Sequence, residues 1–87
     1  MTKRHPEPLS LASLAPGEAA SILGLDVSPE LRDRLTALGL KIGKPVTLIR
    51  RGALGGPLHV RVGTTELVLR RKEAKLIAVD PLHALTA

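Results

Sequence analysis

SPELRDRLTALGLKIGKPV, residues 28–46, holds one short helix, both of its ends and a double turn into a strand. Serine at 28 is a good N-cap, because its hydroxyl accepts from an orphan N–H of the first turn. Proline at 29 loses no hydrogen bond at the first helical position, and Glu30 favours the positive end of the dipole. Leu31, Leu35 and Leu38 recur at i, i+4 and i+7, a stripe expected to hold the helix against a core. Gly39 suits the left-handed position that ends many helices, and Leu40 beyond it can pack back on Leu35 as in a Schellman cap. Gly43 turns the chain again, since Pro45 disfavours helix at Lys44, and Val46 opens a strand.

Downstream of that turn the apolar period changes from helical to alternating. "PVTLIRR" alternates, and "LHVRV" puts Leu58, Val60 and Val62 on one face with His59 and Arg61 on the other. "GALGGP" between them reads as a glycine-rich hairpin loop, with Gly55 and Pro57 as its turn residues. "GTT" makes the next turn, "ELVLR" points Leu67 and Leu69 inward, and "RKEA" has room for one 3₁₀ turn before a last strand, "KLIAV". Upstream, "AASILGLDV" reads as a first strand in which Gly24 marks a bulge or a close backbone approach. Before it, Leu11 and Leu14 fit a single helical turn laid over the core and stopped by Pro16-Gly17. The expected fold is mainly β: a small five-stranded SH3-like barrel with one short helix between strands 1 and 2. Closure would hide the strand edges. An OB-fold places its helix between the third and fourth strands, where this chain has only "GTT".

Composition narrows the function. At 87 residues the chain is one domain, with residues 9–80 as the folded unit, 1–8 a disordered lead-in and 81–87 a tail. Cysteine is absent, which removes disulfides and thiolate zinc sites. No apolar run approaches the ~20 residues that span a bilayer, and prolines interrupt the basic N-terminus, so the expected location is the cytoplasm. The net charge of +5 raises nucleic acid as a partner, but Phe, Tyr and Trp are all missing. Barrels that bind single strands stack bases on aromatic rings, and proline-peptide grooves are lined with them. Neither function is open in its usual form.

The run "LRDRLTALGLKIGKPVTLIRRGALGGPLHVRVGTTELVLRRKEAKLIAV", with the preceding "LSLASLAPGEAASILGL", resembles the FeoA family over roughly residues 9–80. The shared pattern is a helix ending in Leu-Gly-Leu, then Gly43, Val46 and Arg50. A Leu-Gly-x-Pro loop at Leu54, Gly55 and Pro57 and the "ELVLRRKEA" segment complete it. Two positions depart: Ala53 stands where many members have Pro, and Gly56 where many have Asp. The resemblance implies an SH3-like barrel, no enzymatic activity and no cofactor. It also implies a cytoplasmic accessory role beside FeoB, the membrane ferrous iron transporter with a cytosolic GTPase domain, and leaves room for a homo-oligomer.

Candidate sites are weighed against plainer readings. His5, His59 and His83 are scattered, so surface histidines are preferred to an iron site. Ser10, Ser13, Ser21 and Ser28 have no His and acid at a suggestive spacing. Gly52, Gly55 and Gly56 lead into a strand rather than a helix, unlike a phosphate loop. Arg50, Arg51, Arg61, Arg70, Arg71 and Lys72 read first as the solvated face of alternating strands, second as a protein-docking surface. Third, as the alternative function, they would bind nucleic acid through phosphates. The candidate partner site is Leu40, Ile42, Leu54, Arg71 and Lys72: the loop at 39–44 and the hairpin at 52–57 would flank one groove, with Gly39 and Gly43 shaping its wall. The plainer reading, that these loops only close the barrel, stands beside it.

Overall fold

The computed structural model describes residues 9–81; the expected lead-in 1–8 and residues 82–87, with His5 and His83, lie outside the described residues. The elements in chain order are β1 (Leu9–Ser10), a 3₁₀ turn (Leu11–Ser13), β2 (Ala19–Leu25), α1 (Pro29–Ala37) and β3 (Pro45–Arg51). After a turn at Ala53–Gly55 come β4 (Leu58–Val62), β5 (Thr65–Leu69), α2 (Arg71–Ala74) and β6 (Ile77–Pro81). They form one antiparallel sheet in the order β1-β6-β2-β3-β4-β5. All five strands read from the sequence are present, and the expected helix, α1, lies between the first two of them. β1 adds a sixth, pairing Leu9 with Val79 and Ser10 with Ala78. The ladder does not join β5 to β1, so two edges remain. β6 also runs on through Asp80 and Pro81, into the segment expected as tail.

Alternation explains the core. Leu48, Leu58, Val60 and Ile77 are wholly buried, Leu67 and Leu69 nearly so, while Arg61, Glu66 and Val68 point out. Gly24 sits where the β2–β6 register slips, from Ile22 opposite Val79 to Gly24 opposite Ala78. That bulge leaves Leu23 turned to solvent.

The helix is capped at both ends as its sequence requires. Ser28 Oγ accepts from the Leu31 N–H at 3.2 Å. At the other end Gly39 (φ 103°) donates to the Thr36 carbonyl at 3.0 Å, and Leu40 donates to the Leu35 carbonyl at 2.9 Å. These two bonds are the Schellman pair. The leucine stripe is only partly realised: Leu35 is buried and Leu31 packs at the margin, but Leu38 is 42% exposed. Leu38 is the C-cap itself, and the reversal at Gly39 delivers Leu40 to the core in its place.

Two segments lock the ends together. "RKEA" forms an α turn rather than 3₁₀, because Ala74 and Lys75 donate four residues back to Arg70 and Arg71. Glu73 Oε1 accepts from the Arg70 N–H at 3.2 Å; arginine has no acceptor with which to complete a capping box. Arg51, at the end of β3, turns inward and donates from Nη2 to the carbonyls of Ala12 and Leu14, the latter at 2.9 Å. It thereby ties the N-terminal 3₁₀ turn to the sheet.

Candidate docking site

The connection from β3 to β4 is a doubly closed hairpin. Gly52 donates to the Pro57 carbonyl at 2.7 Å, and inside that bond Gly56 donates to the Ala53 carbonyl at 3.0 Å. The two central residues, Leu54 (φ 56°, ψ 43°) and Gly55 (φ 76°), both take left-handed backbone, the signature of a type I′ turn. Glycine suits the second place. At the first, where asparagine or aspartate is preferred, this chain carries a leucine. Its side chain is 103% exposed, so nothing in the described residues covers it. Gly52 is required for closure, since a Cβ there would come within 2.9 Å of the Pro57 oxygen.

Beside that tip lies an open groove of about 500 Å³, lined by Gly55, Gly56, Pro57, Val68, Arg70 and Arg71. The hairpin forms one wall, and the end of β5 with the start of α2 forms the other. They approach closely: a Cβ placed on Gly55 would lie 4.0 Å from Arg71 Cδ. Val68 is 65% exposed, an apolar residue on the outer face of an edge strand.

The structure brings together Leu54, Gly55, Pro57 and Arg71 from the expected site and separates the rest. Leu40 is fully buried as the residue that completes the helix cap, so it is closed to a partner. Ile42 is exposed, in a turn closed by the Lys44 N–H to the Lys41 carbonyl at 3.1 Å. That turn is pinned to β2, where Gly43 donates to the Ile22 carbonyl and Ile22 to the Lys44 carbonyl. It therefore sits at the first residue of β3, whereas the hairpin follows the last. Seven strand residues put roughly 20 Å between them. The groove beside the hairpin has no residue of 39–44 in its lining. A Cβ on Gly39 would meet Val62 at 3.7 Å, so that glycine shapes the far end of β4. Lys72 is exposed just outside the groove lining.

The charges sort themselves by use. Arg61 Nη2 donates to Glu66 Oε2 at 3.0 Å, and His59 Nε2 bonds Glu66 Oε1 at 2.9 Å. The bond from Arg61 first, then that from His59, holds the Glu66 carboxyl below its usual pKa. Arg51 is consumed by the N-terminal turn and Glu73 by the cap of α2. Among the described residues, Arg50, Arg70, Arg71 and Lys72 have no carboxylate within ion-pair distance. Nor, among these residues, do three His, Cys, Asp or Glu side chains gather as a metal site would need. Val68 and Arg70 were not in the expected partner site. Alternation places Val68 outward opposite Leu67 and Leu69, which is the signal that could have found it.

A sequence model described as the FeoA domain matches residues 9–81. The chain belongs to the FeoA family. The FeoA protein of Chlorobium tepidum superposes with a TM-score of 0.83 at 33% identity, over 86% of this chain and 71% of that one. Iron(II) transport protein A of Clostridium thermocellum gives 0.79 at 34%, over 85% of this chain and 46% of that one. Stenotrophomonas maltophilia FeoA, solved with zinc, gives 0.71 at 33%, over 83% and 89%. That protein is described as a prokaryotic SH3 domain protein and a candidate ferrous iron transport activating factor. Among the described residues of the present FeoA member, no helix is long and apolar enough to cross a membrane.

Proposed function

We propose that this chain is a non-enzymatic accessory protein of ferrous iron uptake that works in the cytoplasm by docking to a FeoB-type transporter. The cytosolic GTPase domain of that transporter is its first candidate contact. Family membership supports the pathway, and two similar proteins carry iron transport in their descriptions. One observation carries the mode of action: Leu54 is wholly exposed at a hairpin tip and held in a backbone conformation that leucine disfavours. Non-glycine residues in the left-handed region cost free energy and gather at functional sites. An exposed apolar anchor beside a groove is the form a protein contact takes.

The test is a backbone NMR titration with the GTPase domain of the cognate transporter, with and without nucleotide. Shifts confined to residues 52–57 and 68–72 are the expected result. Leu54→Asp is expected to keep the native spectrum and lose affinity. Equal affinity for both forms would remove Leu54 from the contact, and absence of binding to any cytosolic part of the transporter would remove the docking role.

A further inference from the structure

We infer that the groove between the hairpin and α2 accepts an acidic, extended segment of a protein partner. An apolar side chain of that segment would sit between Leu54 and Val68, and a carboxylate would meet Arg70 and Arg71. This deepens the docking role and rests on it.

Charge is the first argument. No acid occurs in the sequence between Asp33 and Glu66, a stretch that carries six lysines and arginines. The two carboxylates near the groove are already committed, Glu66 to Arg61 and His59, Glu73 to the backbone of Arg70. Among the described residues the guanidinium groups of Arg70 and Arg71 are thus left without an anion, on adjacent residues that line one concave surface. Arginine presents a planar fork that matches a carboxylate in two parallel hydrogen bonds, and it does so better where water is partly excluded. Arg71 is half-buried against the hairpin, so its head is more restrained than that of a surface lysine.

Shape is the second. Gly55 and Gly56 put bare backbone on one wall, so a ligand chain can approach without meeting side chains. Pro57 and Val68 give the lining its apolar surface, and the exposed Leu54 is the chain neighbour of Gly55 at its edge. Apolar and cationic surface in one cleft selects a ligand that offers both. A polyphosphate backbone offers charge alone, and the chain has no aromatic ring on which a base could stack. A protein segment rich in Asp or Glu, with one aliphatic residue, offers both at once.

The experiment uses the full-length chain and overlapping twelve-residue peptides covering the cytosolic sequence of the cognate transporter. Controls are a single-stranded oligonucleotide and vesicles containing an anionic lipid. The expected result is binding by an acidic peptide that shifts the Arg70 and Arg71 Nε–H resonances and the Val68 methyls. Its affinity is expected to fall several-fold between 25 and 250 mM salt, roughly as exposed charge pairs are screened. Arg71→Glu is expected to weaken that peptide at least tenfold with an unchanged amide spectrum, and Arg70→Glu to act in the same direction. A peptide with its acids changed to lysine is expected to recover affinity for Arg71→Glu. Tighter binding by the oligonucleotide or the vesicles than by every peptide would overturn the assignment. So would native affinity of both arginine variants for a transporter domain that Leu54→Asp no longer binds, an outcome that leaves the docking role intact. Failure of the whole cytosolic portion to bind removes both.

Discussion

Replacing Leu54 with asparagine is expected to make the protein more stable while impairing its contact. A left-handed conformation costs an L-residue roughly 1–2 kcal/mol, and asparagine is one of the few side chains that visit it routinely. At φ 56° and ψ 43° Leu54 carries that cost in full. A buried leucine would offset the exchange with the ~1.5–3 kcal/mol of its burial, but this one is 103% exposed and forfeits none. Asparagine adds no backbone freedom to the unfolded chain as glycine would. The net gain is about 1 kcal/mol, which for a domain of this size raises Tm by roughly 4–8 °C. Intrinsic fluorescence is closed to the assay, because the chain has no tryptophan or tyrosine. Far-UV circular dichroism during heating, and in urea with an unchanged m-value, reads the shift instead. A lower Tm for Leu54→Asn would mean that the leucine makes contacts in solution, and would refute its reading as a presented anchor.

Gly39→Val is expected to lower stability by at least ~1 kcal/mol, since φ is 103° while the added side chain finds only an ordinary contact at Val62. Gly39→Asn, measured by the same melts, is expected to lose markedly less. Arg51→Met keeps the stem but removes the donors to Ala12 and Leu14, a loss of about 2 kcal/mol for charge-assisted bonds to part-buried carbonyls. Hydrogen exchange should show the 9–14 segment opening first, and uniform loss of protection would contradict the tether. The lowered pKa of Glu66 favours the folded state at neutral pH. That contribution is full above the ordinary glutamate range near ~4.3 and is lost as pH falls through the lowered folded value. Glu66→Gln should therefore flatten the acid limb of a Tm-against-pH curve, and an unchanged limb would assign it to other groups.

Local chemistry was legible from the residues alone. Ser28-Pro29 and Gly39 marked both ends of α1, alternation marked five strands, and Gly24 marked the bulge, because each signal acts within a few residues. Pairing of β1 was not, since two residues carry no period and Leu9 finds Val79 across seventy positions of chain. Leu40 took the inward place that its Schellman reading gave it, whereas Leu38, put in the stripe by ideal helical spacing, is the C-cap and turns outward. In the candidate site, the exposure of Leu54 was one of two outcomes the hairpin allowed. The internal use of Arg51 depends on two carbonyls 37 and 39 residues away, and no local pattern encodes that. The 39–44 and 52–57 loops stand at the two ends of β3, with its seven residues between them, which a reading of each loop by itself overlooks.

The last strand of the described residues is not the last strand of the sheet. β6 is inserted between β1 and β2, with Ile77 and Val79 sealed in the core. During synthesis β2 can pair with β3, but its β6-facing edge and β1 stay open until some fifty further residues have emerged. Contacts of such sequence separation are slow to form, because loop closure precedes any gain from packing. The barrel-like core is thus completed only when β6 arrives, and loss of its five residues would leave β1 without a strand partner and β2 paired with β3 alone.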